Sequence, residues 1–213
     1  MSTADALPLI QFAVSLTSNF SLNISAQPED QLKAPVSTLL QAVGDVLGMK
    51  KVYTRTEAHA NGVQGRPDMA VAVGKLLTGY IELKAPGKGA SPEKFASKQD
   101  REQWRRFALI PNLIYTDGSH WALYRTGERS GRVVSLSGDV TQDGERAVSP
   151  LDVVNLNAMF ADFLSWKPIV PNSPGALAEM LAPLCHMLRH KHAEGRGWPV
   201  SASVAGNMGL LCF

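Results

Sequence analysis

The stretch from Arg66 to Lys84 constrains this chain more than any other. Two short apolar runs lie in it, Met69 to Val73 and Gly79 to Leu83, separated by a loop-like Gly74-Lys75 and Thr78-Gly79. Asp68 opens the first run, and Glu82 and Lys84 close the second. The pattern predicts a β-hairpin over 68–73 and 79–83 with charge at its strand ends. Residues two apart in a strand share a face, so Glu82 and Lys84 project together while Leu83 points the other way. Thirteen residues separate Asp68 from Glu82, a span that a hairpin closes. Two carboxylates and one ammonium therefore converge. Charges ending apolar strands are costly to bury, so they are expected to face a polar cleft.

The rest of the chain supplies a frame for that hairpin. With 213 residues and 45% hydrophobic content, one domain with appendages is expected, at roughly 100–200 residues per domain. A 19% charged fraction and four tryptophans argue against disorder. Cys185 and Cys212 provide neither a disulfide framework nor metal-ligand spacing, so a reduced, cytoplasmic setting is expected. Residues 1–20 lack a basic leader and include Asp5, unlike a signal peptide. No apolar run of about 18 residues predicts a transmembrane helix.

Apolar spacing predicts helices over 8–20 and from Pro28-Glu29-Asp30 to Gly48, the latter with Pro35 as a kink or a reset start. Lys50 to Glu57 reads as a strand. Ser91-Pro92-Glu93 carries a capping serine, an N-terminal proline and an early acid, which predicts one helix running to about Leu109. Strands are expected at 112–116 and 120–125 around Asp117-Gly118, with another at 132–136. Helices are expected at 151–166 and 176–192. The expected fold class is α/β: a mixed central sheet with helices on both faces. Residues 1–145 read as the core and 146–194 as a helical extension. Residues 195–213 read as a loose tail, or as the point where a larger protein is cut short.

The hairpin's chemistry suits phosphodiester hydrolysis. That reaction needs a deprotonated water and a stabilised phosphate charge, and divalent metals supply both. Mg²⁺ prefers hard oxygen ligands and takes one or two carboxylates. Asp68 and Glu82 are the candidate metal-binding carboxylates, the carbonyl of Leu83 is a third ligand candidate, and Lys84 adds a cation for the attacked phosphate or the water. The bland alternative is a solvated ion pair on a strand face.

Pro67-Asp68 followed by Glu82-Leu83-Lys84 resembles the PD-(D/E)xK nuclease superfamily, the restriction-endonuclease-like fold. The longer phrases 65–68, 80–88 and 111–118 resemble N-terminal nuclease domains fused to adenine methyltransferases in restriction–modification enzymes, with the similarity covering roughly residues 28–126. The resemblance implies Mg²⁺-dependent (or Mn²⁺-dependent) cleavage of double-stranded DNA, with metal at Asp68 and Glu82 and an activating role for Lys84. Superfamily members often add a glutamine in a Gln-x-x-x-Tyr-like pattern. Here Gln103 has its place, but Phe107 stands where Tyr would be; a structural glutamine is the alternative. Gln99 is a weaker candidate. Many members also use an acid from the first core helix, a place Glu29 fits, although a first-turn acid also complements the helix dipole. Glu57 ranks lower.

From Lys84 to Arg106 there are seven basic residues against three acidic ones, in a chain of net charge +2. Lys94, Lys98, Arg101 and Arg105 are spaced to share one helical face, and Lys88 sits in a Gly-rich loop beside the hairpin. Such a face suits salt-sensitive phosphate contacts, or is simply solvated. His186 and His190 beside Cys185 lack a zinc-protease pattern. Trp104, Tyr115, Trp121 and Tyr124 read as core aromatics. The partners expected are double-stranded DNA, a methyltransferase or specificity domain or subunit, and a second copy on DNA. The alternatives are an inactive nuclease-like binding module and a repair or mobile-element nuclease with the same site.

Overall fold

We describe a computed structural model of the chain over residues 3–22, 27–56, 60 and 65–167. Four helices, α1 (Thr3–Ser21), α2 (Asp30–Val46), α3 (Lys98–Phe107) and α4 (Pro150–Ser165), surround six strands. These are β1 (Val52–Thr56), β2 (Met69–Val73), β3 (Leu76–Leu83), β4 (Leu113–Thr116), β5 (His120–Arg125) and β6 (Glu128–Ser135). The strands lie side by side in chain order. All neighbours are antiparallel except β3 and β4, which run parallel. Parallel neighbours need a long crossover, and the segment carrying α3 provides it. The sheet is therefore mixed and the fold is α/β, as the sequence patterns predict.

Period-two alternation divides the core between the two faces. Met69, Val71, Ile81, Leu83, Ile114, Trp121 and Leu123 pack on one side with the apolar stripes of α1, α2 and α4. Tyr80, Leu113, Tyr115, Ala122 and Tyr124 pack on the other with Phe107 and Ile110, against Phe95 and Trp104. The even-numbered positions of β3 thus face α3, and this face receives Glu82 and Lys84.

Helix α2 continues through Pro35, which is buried inside it, so the proline does not reset its start. Proline removes the N–H that would bond the carbonyl of Gln31. The Asn19 side chain of α1 donates to that carbonyl instead, at 3.4 Å. Gly48 ends the helix as expected, at φ +64, with its N–H donating to the Asp45 carbonyl.

Two expectations are corrected. The single helix from Ser91 to Leu109 is two pieces: a 3₁₀ turn over Pro92–Lys94, then α3 from Lys98. The break arises because Ser97 caps α3, accepting from the Asp100 N–H at 3.0 Å, while Phe95 is extended and packs edge-on against Tyr115. Strand β6 begins at Glu128 rather than Arg132. Thr126 and Gly127 both adopt positive φ and form a two-residue hairpin turn that pairs Arg125 with Glu128. The expected helix at 176–192, the tail, Glu57 and the His186–His190 pair lie outside the described residues. No helix among the described residues is long and apolar enough to cross a membrane.

Candidate active site

The site forms where β2 begins and β3 ends. Met69 registers with Ile81, and continuing that antiparallel ladder places Asp68 opposite Glu82. The Asp68 carboxylate accepts from the Leu83 N–H at 2.8 Å, so the first acid is tied to the strand that carries the second. Leu83 itself has its side chain in the core.

Glu82 and Lys84 are only 3% and 4% exposed, far too buried for a solvated ion pair. Lys84 Nζ donates to Glu82 Oε1 at 2.7 Å and to Gln103 Oε1 at 2.7 Å. Gln103 Nε2 donates back to Glu82 Oε1 at 2.8 Å. The three side chains close a triangle across β3 and α3. Gln103 belongs to it because Ser97 sets the start of α3. Gln99, one turn earlier, is exposed. Glu82 Oε2 is buried without a hydrogen-bond partner, so one carboxylate oxygen is held by two donors and the other is left open.

Burial pushes the Glu82 carboxyl up to about 7, with the Asp68 charge adding to the rise and Lys84 opposing it. Burial likewise raises Asp68, against the Leu83 N–H, Lys33 and Lys84. Two acids in one desolvated place resist joint ionisation.

Glu29 reaches the site from the start of α2. Its Oε1 accepts from the Ala85 N–H at 3.2 Å, at the point where the chain leaves β3. Among the described residues no group of three or more His, Cys, Asp or Glu side chains is gathered closely enough to hold a metal ion. Glu29 is thus brought to the motif strand, but it does not form a cluster of three acids with Asp68 and Glu82.

Beyond Ala85 the loop is fastened by Asp117, which is fully buried. Its carboxylate accepts from the N–H groups of Gly89, Ser119 and His120 at 2.7, 3.1 and 2.7 Å. The sequence pattern marks Asp117-Gly118 as a turn but gives no sign of the bond to Gly89, which lies 28 positions away. Lys88 in this loop pairs with Asp100 at 2.9 Å and lies over the Phe95 ring.

The basic face is smaller than its spacing suggests. Lys94 sits in the 3₁₀ turn, so the helical face consists of Lys98, Arg101 and Arg105, all exposed. Arg101 donates to the Ala96 carbonyl.

No protein-family model matches the sequence, and no curated protein matches it. Among solved structures, a cryo-EM structure of a DrdV–DNA complex is similar at a TM-score of 0.47 and 17% identity, over 87% of this chain. This chain spans 16% of the length of that one.

Proposed function

We propose that the chain carries a Mg²⁺-dependent deoxyribonuclease centre of the PD-(D/E)xK type, the cleavage part of a restriction–modification system. One observation carries this reading: the closed Lys84–Glu82–Gln103 triangle leaves Glu82 Oε2 unpartnered in a buried place. An ion pair serving only stability would be expected to have its hydrogen-bonding capacity filled by protein groups, because a buried oxygen left without one costs about 1–3 kcal/mol unless water or an ion supplies the partner. A carboxylate with one oxygen fixed and the other open is a preset ligand.

The donor set fits a hard cation. Asp68, Glu82 Oε2 and the Leu83 carbonyl would hold it, with water and substrate phosphate completing the shell. Glu29 acts as an accessory acid that fixes the strand exit at Ala85. When bound, Mg²⁺ supplies positive charge against the phosphate oxygens and makes a bound water easier to deprotonate. Lys84 has three N–H groups and spends two of them on Glu82 and Gln103. Its remaining donor orients the attacking water or a nonbridging phosphate oxygen. Attack by water forms the new P–O bond as the bond to the leaving oxygen breaks, the water's proton passing to solvent and the leaving oxygen taking one from solvent, while the ammonium offsets the charge that develops. Gln103 acts as a positioning residue, holding Lys84 and Glu82 at fixed separation.

Double-stranded DNA is the proposed substrate, with a methyltransferase or specificity domain or subunit as partner. With one site per chain, cutting both strands uses a second copy or a second event. The test is cleavage of supercoiled plasmid in Mg²⁺ and in EDTA by the wild type and Lys84→Ala. Wild-type cutting is expected in Mg²⁺ only, with the variant slowed by about 10²-fold or more. A Lys84→Ala protein that cuts at the wild-type rate overturns the mechanism. A wild type that binds DNA without cutting it identifies a binding module.

A further inference from the structure

Two buried side-chain polar atoms among the described residues have no hydrogen-bond partner: Glu82 Oε2 and Tyr115 Oη. Both belong to one place. Glu82 on β3 and Tyr115 on β4 are register partners in the parallel pair, so their side chains stand side by side on the α3 face. The Tyr115 ring also lies under Lys84, with Nζ 5.9 Å from its centroid. Trp104, Phe95 and Tyr124 pack edge-on around it. Tyr115 is an interior aromatic, as its sequence context suggests, yet its hydroxyl is not satisfied as an interior hydroxyl should be.

Tyr124, in the same cluster, shows what a settled hydroxyl looks like. It donates to Glu93 at 2.7 Å and lies 3.2 Å from the Ala90 carbonyl. Tyr115 has no such acceptor. Burial and the Glu82 charge push its phenol far up, so it keeps its proton and remains a donor. Glu82 Oε2, an acceptor when the carboxyl is ionised and a donor when it holds its proton, has no protein partner either. The two atoms are chemically complementary and adjacent in register, but not in direct contact.

We propose that one buried water joins Tyr115 Oη to Glu82 Oε2, which makes Tyr115 a positioning residue of the site. Buried waters serve otherwise unsatisfied polar groups of this kind. Oε1 is held by Lys84 and Gln103, whereas Oε2 is oriented only through an exchangeable water and so stays available to a metal ion. Mg²⁺ retains several of its own waters when it binds protein. Were Mg²⁺ held at Glu82, the bridging water would be a candidate for that shell, with the phenol as its outer donor. The effect on metal rests on the nuclease reading; the bridge itself is a property of the metal-free protein.

The experiment compares Tyr115→Phe with Tyr124→Phe. Urea unfolding in EDTA reads the bridge, and calorimetric titration with Mn²⁺ reads the positioning. Tyr115→Phe is expected to lower the unfolding midpoint and weaken Mn²⁺ binding about tenfold, the low end for loss of an outer-shell partner. Tyr124→Phe is expected to lower the midpoint with Mn²⁺ affinity unchanged. A midpoint for Tyr115→Phe that is unchanged or raised shows a truly orphaned hydroxyl and overturns the bridge. A lowered midpoint with unchanged Mn²⁺ affinity overturns the positioning role. A wild type that binds no Mn²⁺ overturns the metal reading and the positioning role with it, while the midpoint alone still decides the bridge.

Discussion

Raising the pH of metal-free protein should destabilise it through Glu82. In the unfolded chain this carboxyl ionises near 4.5, and in the folded chain at about 7, because burial and Asp68 oppose its charge. Between those values the folded state keeps a proton that the unfolded state has lost. Stability rises with pH only where the unfolded state binds more protons, so here it falls. It is fully present below 4.5 and is lost as the pH passes about 7. At about 1.4 kcal/mol per pKa unit the loss is about 3 kcal/mol. The side chain is 3% exposed, so solvent screening reduces this little. Urea unfolding in EDTA across this range, for the wild type and for Glu82→Gln, isolates the effect: the wild-type stability minus that of the variant should drop by about 3 kcal/mol. If the site binds metal as proposed, divalent cation is expected to oppose the trend. Binding to the ionised carboxylate releases a proton below about pH 7, so the stabilisation by Mg²⁺ or Mn²⁺ should grow as pH rises. A wild-type-minus-variant difference that is flat with pH would refute the argument that Glu82 is held protonated by its surroundings.

Three further outcomes are expected. A Cβ at Gly79 would lie 2.6 Å from the Asn112 carbonyl oxygen and 2.7 Å from the Phe163 ring, so Gly79→Ala should cost about 1–3 kcal/mol or more in urea unfolding. Asp117→Ala strands the N–H groups of Gly89, Ser119 and His120; a loss of about 3 kcal/mol or more is expected, with faster amide exchange at Gly89. Replacing Arg101 and Arg105 by Ala should flatten the log–log salt dependence of DNA binding by roughly 2, if each meets one phosphate, and fluorescence anisotropy at several salt concentrations measures it.

The sequence by itself determined most elements of the fold and the convergence of Asp68, Glu82 and Lys84, because both depend on local backbone geometry. Period-two alternation put Glu82 and Lys84 on one face and Leu83 on the other. The hairpin brought Asp68 alongside, and apolar spacing marked α2 and α4. The break between Pro92–Lys94 and α3 was less legible. Ser91 and Ser97 are both capping serines, and the packing of Phe95 on Tyr115 favours the second for α3. The surroundings of the candidate site were decided only in three dimensions. Gln103, Glu29 and the Tyr115–Asp117 segment come from three separate parts of the chain. The placement of Gln103 and Tyr115 around Glu82 depends on the parallel β3–β4 register and on the crossover that carries α3, and that of Glu29 on the start of α2. A repeat of two or 3.6 residues reports which way a side chain points. It says nothing of what a distant segment will place opposite, and so it could not show that the site's open carboxylate oxygen would lie beside a phenol without a partner.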